Sequence, residues 1–356
     1  MMTDLSLPDR YEPKDNSASG GFSNVQICLD THLQRDVAVK TIKDASESGR
    51  IQDELKALMQ LRSKHVVQVF DIANYENDKT AIVMEYISGS DLFNYDLDAF
   101  SPEDFLKLLW QLSSGITDIH AAGIIHRDLK PNNMKIDDEG ILKIFDFGLS
   151  RNSEDASTVG FKGTIGFAAP EQFTNGHLQF SDAVDVYAFG AIALFLLTND
   201  LPDELKSIPP EELLESAFDN TLVDQYPKIK EYLVKCLSID PVDRPKISDV
   251  HEQLTKFLLY NEHQALAVAG VKSHVIDKNK KKVSVKSDNI GAFAIEYDGF
   301  EFRLVNPQGE VFLNNSKVTG TLVLPGSCVV ALGASHRTHY ERSYVTFDIS
   351  NPEVSL

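Results

Sequence analysis

The stretch IIHRDLKPNNMKI, residues 124–136, sets a histidine, an arginine, an aspartate and a lysine within five positions and adds two asparagines before the chain turns apolar again. A carboxylate, a cation and an amide that act together need a short loop held on both sides. The apolar residues at either end of this stretch supply that hold. A capping aspartate in a polar turn accounts for a lone D-x-K. It does not account for six spaced residues, His126, Arg127, Asp128, Lys130, Pro131 and Asn133.

Outward from the loop, the two sides of the chain differ. Residues 20–90 hold strand-like runs, FSNVQICLD (22–30), RDVAVKTI (35–42), VVQVFDIANY (66–75) and TAIVMEYI (80–87). One helical stretch interrupts them, GRIQDELKALMQLRS (49–63), with apolar residues at helical spacing. Beyond Asp91 helix dominates. SPEDFLKLLWQLSSGITDIHAAG (101–123) opens with Ser101 as N-cap, Pro102 at the first helical position and acids in the first turn, where the positive end of a helix favours them. Further helices are predicted over 182–198, 210–218, 226–237 and 246–261. VYAFGAIALFLL, residues 186–197, is too short for the roughly 20 residues a bilayer span requires, and reads as a buried helix.

A third composition begins near residue 270. VKSHVIDKNKKKVSVK (271–286) is locally basic, and short apolar runs separated by Gly, Asn, Pro and Asp follow it, among them GAFAIEY, FEFRLV, CVVALG and YVTFDI. This pattern predicts a small all-β sandwich or barrel. The expected division is therefore a tail over 1–10, a β-rich lobe over 11–87, a helical lobe over 88–262, a linker over 263–282 and a small β domain over 283–356.

The formal charge of −19 argues against nucleic acid or an anionic membrane as the main partner, because phosphates would be repelled. A polyanionic ligand then needs a local basic pocket or a metal ion. Cys28, Cys236 and Cys328 are odd in number, far apart and in no metal-ligand spacing, and read as buried free thiols in a reducing compartment. The start, MMTDLSLPDRYEPKDN, has no apolar core behind a basic end, and a cytoplasmic location is expected.

The six loop residues match the H-R-D-x-K-P-x-N catalytic loop of protein kinases. KIFDFGLS (143–150) adds Asp146, Phe147 and Gly148 in D-F-G order, DVAVK ends in Lys40 on a strand, and IQDELKALMQL puts Glu54 on the next helix. GTIGFAAPE (163–171), DAVDVYAFG (182–190) and DPVDRP (240–245) follow in family order with Thr164, Glu171, Asp185 and Arg244. Over roughly residues 10–260 the chain thus resembles a eukaryotic-type serine/threonine protein kinase, which implies a two-lobed α+β fold and the cofactors ATP and Mg²⁺. The resemblance implies that Asp128 orients the acceptor hydroxyl and Lys130 stabilises transferring charge. It further implies that Asn133 and Asp146 hold Mg²⁺, and that Lys40, paired with Glu54, holds the phosphates. His126, Arg127, Phe147, Gly148, Thr164, Glu171, Asp185 and Arg244 are implied to be structural, with Arg244 pairing Glu171 and Asp185 anchoring the loop.

IVMEYISGSDL (82–92) resembles the segment joining the lobes, with Met84 behind the nucleotide pocket, backbone groups of Glu85 and Ile87 toward adenine, and Asp91 toward ribose. In ASGGFSNV (18–25) only the middle glycine of the phosphate-loop pattern remains: Ala18, Gly20 and Ser23 precede Val25, with Gly21 and Phe22 between. Ala38 completes the expected nucleotide-binding set. Loss of two glycines should loosen nucleotide contact without forbidding it, because glycine lets the backbone approach phosphate closely. Lys130, together with the lack of tyrosine between Asp146 and Glu171, favours serine or threonine as acceptor. Arg127 beside Asp128 suggests control by a phosphate on the activation segment, with Ser153, Ser157 and Thr158 as candidates, against a mobile polar loop whose serines do nothing.

FEFRLVNPQGEVFLNNSKVTGTLVLPGSCVVALG (300–333) is similar to the second half of a forkhead-associated domain, through Asn306, Gly309, Asn314, Pro325, Gly326 and Gly333. The Arg, Ser and His with which such domains grip phosphate have no counterpart in SDNIGAFAIEY (287–297). Docking of a partner or self-association therefore stands beside phosphothreonine binding. Lys280, Lys281, Lys282 and Lys286 are a second anion-binding candidate, against a solvated linker. Protein substrates bearing Ser or Thr are the implied partners. The rival to an active kinase is a pseudokinase acting as a nucleotide-binding scaffold through its C-terminal domain.

Overall fold

The computed structural model describes residues 7–14, 19–20, 23–42, 58–75, 79–94, 100–146, 165–173, 180–287 and 289–355. The chain divides into two compact units, Met1–Leu254 and Thr255–Ser355.

The first unit opens with an antiparallel sheet: β1 (Tyr11–Pro13), β2 (Ser19–Gly20), β3 (Ser23–Asp30), β4 (Arg35–Ile42), β5 (Val69–Tyr75) and β6 (Lys79–Glu85). Its order is β1-β3-β4-β6-β5, with β2 on β3. Alternation along β4 sends Val37 and Val39 into a core with Cys28, Ala81 and Val83, which turns Ala38 and Lys40 to the opposite face. Val25 lies opposite Lys40, and Ala38 lies opposite Met84. Leu58, on the short described helical segment 58–60, is buried as its register requires.

The rest of this unit is helical around a small sheet of β7 (Ser90–Asp91), β8 (Met134–Ile136) and β9 (Leu142–Ile144). Helix α1 (Pro102–Ala121) starts in a capping box in which Ser101 and Asp104 each accept from the other's backbone N–H. Helix α2 (Ala183–Thr198) is buried around nearly its whole circumference and forms the centre of the lobe. It ends at Asn199 in the left-handed conformation (φ 57°). Helix α3 (Pro227–Cys236) and the first two turns of α4 (Ile247–Leu258), which runs on past Leu254 into the second unit, complete the lobe. The helix expected over 210–218 is instead a run without regular structure and a single 3₁₀ turn, Glu215–Phe218, because of residues 211–218 only Phe218 is buried and no apolar face packs to hold a helix. The helix expected to reach 261 stops at Leu258, and Asn261 takes a left-handed φ of 66°.

The second unit is a two-sheet β sandwich. Its strands are β10 (Ala265–Ala269), β11 (Lys272–Ile276), β12 (Lys282–Ser287), β13 (Gly291–Tyr297), β14 (Phe302–Gly309), β15 (Val311–Leu313), β16 (Ser316–Lys317), β17 (Leu322–Val323), β18 (Cys328–Leu332) and β19 (Ser343–Ile349). One sheet runs β11-β10-β19-β18-β15-β16 and the other β12-β13-β14-β17. Their facing sides share one core that includes Ile276, Phe293, Ile295, Leu304, Val330 and Phe347. The expected linker over 263–282 and the sandwich start at 283 are therefore corrected: β10 and β11 belong to the sandwich, and the first unit ends at Leu254 rather than 262. Alanine is a poor strand former by itself, which concealed β10. Here Ala265 and Ala267 pack opposite Ile349 and Phe347, where small beside large fills the space. The lysines of 271–286 lie mainly in the turn after β11 and on β12, all exposed, and both strands are sheet edges, where charged side chains face water. Asn314 and Asn315, at φ 46° and 70°, form the two-residue turn joining β15 to β16, which explains the paired asparagines. Among the described residues no helix is long and apolar enough to cross a membrane.

Candidate active site

The loop between α1 and β8 is held from below by one buried carboxylate. Asp185, 1% exposed on α2, accepts the backbone N–H groups of His126 and Arg127, both at 2.8 Å, and faces His120 Nε2 at 2.8 Å. Arg127 has φ 66°, a left-handed conformation that costs a non-glycine residue about 1–3 kcal/mol. Two N–H bonds to a carboxylate, each about 1.5–3 kcal/mol, outweigh that cost. His126 is buried, and its Nε2 lies 3.1 Å from the Phe145 carbonyl, which can only accept; Nε2 therefore carries the proton. Burial lowers its pKa, so the ring is neutral and its bare Nδ1 faces the Asp128 N–H at 3.4 Å.

Asp128 follows with its carboxylate 3.1 Å from Lys130 Nζ. The Asn133 amide donates to the Asp128 carbonyl at 2.8 Å and to its carboxylate at 3.3 Å, so donation fixes the nitrogen and leaves Oδ1 as the other end. The β8–β9 pairing continues through the Phe145 N–H donating to the Asn133 carbonyl at 3.0 Å. Asp146 therefore comes one residue beyond the partner of Asn133. Asp146 has φ 61° and forms an ion pair with Lys40 from β4. Asp128, Lys130, Asn133, Asp146 and Lys40 thus converge, although Lys40 and Asp146 are 106 residues apart in the chain.

Met84 and Glu85 end β6, and Ile87 is buried just beyond it. The Glu85 N–H donates to the Gln68 carbonyl, and its carboxylate is held by Lys143 Nζ at 2.9 Å. Asp91 sits on β7 opposite Lys135. Gly20 lies in the β2–β3 hairpin opposite Ser23. The expected ion pair of Glu171 and Arg244 is formed, with two bonds of 2.7 and 2.9 Å; Arg244 also donates to three backbone carbonyls and lies 5.0 Å over the Tyr187 ring. Ala18, Gly21, Phe22, Glu54, Phe147, Gly148, Ser153, Ser157, Thr158 and Thr164 lie outside the described residues.

The structure adds residues that sequence reasoning missed. Gln111 brackets the β8–β9 turn, donating to Gly140 and accepting from Leu142. His65 faces the Leu142 carbonyl at 3.1 Å, while its own carbonyl accepts from Ile144. Gln172 donates to the Arg127 carbonyl at 3.1 Å. The one available signal for Gln172 was an amide next to Glu171. For His120, Gln111 and His65 there was none, because each acts on a residue distant in sequence.

Among the described residues no three His, Cys, Asp or Glu side chains gather to hold a metal. The oxygen donors at Asn133 and Asp146 nevertheless fit Mg²⁺, a hard ion that takes one or two protein ligands and completes its shell with phosphate and water.

Residues 11–254 match the family model described as protein kinase domain. The chain is 32% identical over 210 residues to the probable serine/threonine-protein kinase pknA2 of Bifidobacterium longum, covering 55% of this chain and 27% of that protein. It is 31% identical over 231 residues to mitogen-activated protein kinase 14 of Xenopus laevis, covering 59% of this chain and 63% of that one. With the SNF1-related protein kinase catalytic subunit alpha KIN12 of Arabidopsis thaliana it shares 27% identity over 288 residues, 78% of this chain and 56% of that one. The matches thus span from about a quarter to under two thirds of these relatives. A crystal structure of Rad53 1-466 in complex with AMP-PNP is similar at a TM-score of 0.56 and 25% identity, covering 68% of this chain and 64% of that one.

Proposed function

The chain belongs to the protein kinase family, and from that premise we propose that it transfers the γ-phosphate of ATP to serine and threonine hydroxyls of protein substrates, itself included. The observation that carries this reading is the convergence of Asp128, Lys130, Asn133, Asp146 and Lys40 on one side of the β8–β9 hairpin. Asp128 is placed to accept the proton of an attacking hydroxyl, and Lys130 beside it supplies a cation where charge is transferred. Lys40, on the strand face that also carries Ala38, holds phosphate oxygens. Asn133 and Asp146 would hold Mg²⁺, which when bound neutralises charge on the phosphates. In a chain of net charge −19 these local cations give a polyanionic nucleotide its place.

The Nε of Arg127 is buried without a hydrogen-bond partner among the described residues. That supports control by a phosphate on Ser153, Ser157 or Thr158, which would supply the acceptor. The sandwich serves docking or self-association, and three free buried thiols agree with a reducing, cytoplasmic setting.

Purified chain incubated with Mg²⁺ and γ-labelled ATP, beside Asp128→Asn, tests the reading. Label on Ser or Thr in the wild type alone, with ATP binding kept in the variant, is the expected result. ATP binding with no transfer to the chain or to generic protein substrates would overturn it and leave a nucleotide-binding scaffold.

A further inference from the structure

Glu171 and Gln172 are neighbours that anchor the segment 165–173 in different directions. Glu171 is bound to Arg244, while Gln172 reaches the catalytic loop. The Gln172 amide is used at both ends: Nε2 donates to the Arg127 carbonyl at 3.1 Å and Oε1 accepts the Ala169 N–H at 2.9 Å. A flipped amide would set oxygen against carbonyl and NH₂ against N–H, so the two bonds determine its orientation. The carbonyl that Gln172 grips belongs to the peptide joining Arg127 to Asp128. The other side of Arg127, its N–H, is gripped by Asp185 at 2.8 Å. This left-handed residue is thus clamped on both backbone groups, and the plane from which Asp128 departs is fixed by side chains of two separate elements. Arg127, Asp128, Phe167, Ala168 and Gln172 line one small cavity, so the segment and the loop are in register there.

We propose that Gln172 is a positioning residue for phosphoryl transfer: it couples the seating of segment 165–173 to the aim of the Asp128 carboxylate. The inference rests on the kinase reading above. It implies that the loop is aimed while the segment is seated and loses its aim when the segment lifts. The contact needs a hydrogen donor toward the loop and an acceptor toward Ala169 at the same time, which an amide provides at any pH.

Two substitutions test this. Gln172→Ala removes both bonds. Gln172→Glu keeps the acceptor for Ala169 but, when ionised, sets a carboxylate oxygen against the Arg127 carbonyl; once protonated, its O–H can donate there again. Charged groups on the elements packed around this position are Arg127 and Asp128 of the loop, Asp185 of α2, and the Glu171–Arg244 pair. Gln172→Ala should lower kcat about 10- to 100-fold, as expected for a displaced catalytic group, with nucleotide affinity unchanged. For Gln172→Glu the rate relative to wild type, low near neutral pH, should climb as pH falls toward about 5.5, because facing a carbonyl oxygen raises a carboxyl pKa. Wild-type kcat in Gln172→Ala, or a ratio for Gln172→Glu that is flat with pH, would overturn the proposal. A chain whose wild type transfers no phosphate would sink the kinase reading instead. Hydrogen exchange across residues 124–133 then decides the clamp: faster exchange in Gln172→Ala than in wild type supports it, and equal exchange overturns it.

Discussion

Lys40 and Asp146 show what one ion pair does in this site. The lysine reaches across from β4, and its cation settles on the carboxylate proposed to hold metal. Lys40→Met should therefore lower transfer severely by removing phosphate contact, which single-turnover kinetics with labelled ATP would show as a loss in the chemical step; an unchanged rate would assign the phosphates to another cation. Tyr187 on α2 offers a contrasting residue. Its hydroxyl is buried with no hydrogen-bond partner among the described residues, although Arg244 stacks over its ring. An unpaired buried hydroxyl is a cost that phenylalanine avoids while keeping the ring. Tyr187→Phe should leave stability unchanged or raise it by about 1 kcal/mol, measured by denaturant unfolding, and a loss of stability would show that the hydroxyl has a partner.

Among the elements, α2 and α3 approach closely because position 190 has no side chain. A Cβ on Gly190 would lie 2.9 Å from the Cys236 Cβ and 3.0 Å from Leu237. Gly190→Ala should cost about 1–3 kcal/mol of stability in thermal or denaturant unfolding, since neither neighbour can withdraw from a packed core. His65 joins β9 to α1, facing the Leu142 carbonyl at 3.1 Å and the Trp110 ring at 6.0 Å, while His251, half-buried on α4, packs on the same Trp110. His65, His126 and His251 all have pKa values pushed below 6.5, burial being the largest cause in each. A histidine whose folded pKa lies below its unfolded value takes up its proton only on unfolding in the window between the two. Stability is therefore full above pH 6.5 and falls as pH drops below it. Melting temperature should decline from pH 7.5 to 5.5, and His251→Gln should reduce that slope; an unchanged slope would remove this histidine from the account.

The legible part of the fold came from elements whose signals are local. The H-R-D loop, the buried helix around Asp185 and the capped start of α1 each announce themselves within a dozen residues. The clamp on Arg127 does not, because Asp185 and Gln172 lie 58 and 45 residues away from it and act on backbone groups that any residue possesses. Strand β10 escaped for a related reason. Its alanines are informative only beside the large partners on β19, about 80 residues later.

At the scale of the whole molecule, the unit boundary at Leu254 carries its own expectation. A chain ending at 262 keeps all of α4 and should remain folded and bind ATP, as circular dichroism and nucleotide titration would report; an insoluble product would mean that the boundary cuts a shared core. The cysteines add a consequence of a different kind. Cys28 lies in the core of the first sheet, Cys236 at the end of α3 and Cys328 in the sandwich, all three buried and free. Burial raises the thiol pKa of each, to about 11 for Cys28 and about 12 for Cys236, and a thiol reagent attacks only the thiolate. Each body of the fold thus holds one silent reporter. Alkylation followed by mass spectrometry of three distinct peptides would time the opening of β-lobe, helical lobe and sandwich separately in the unmodified protein, without a single engineered label.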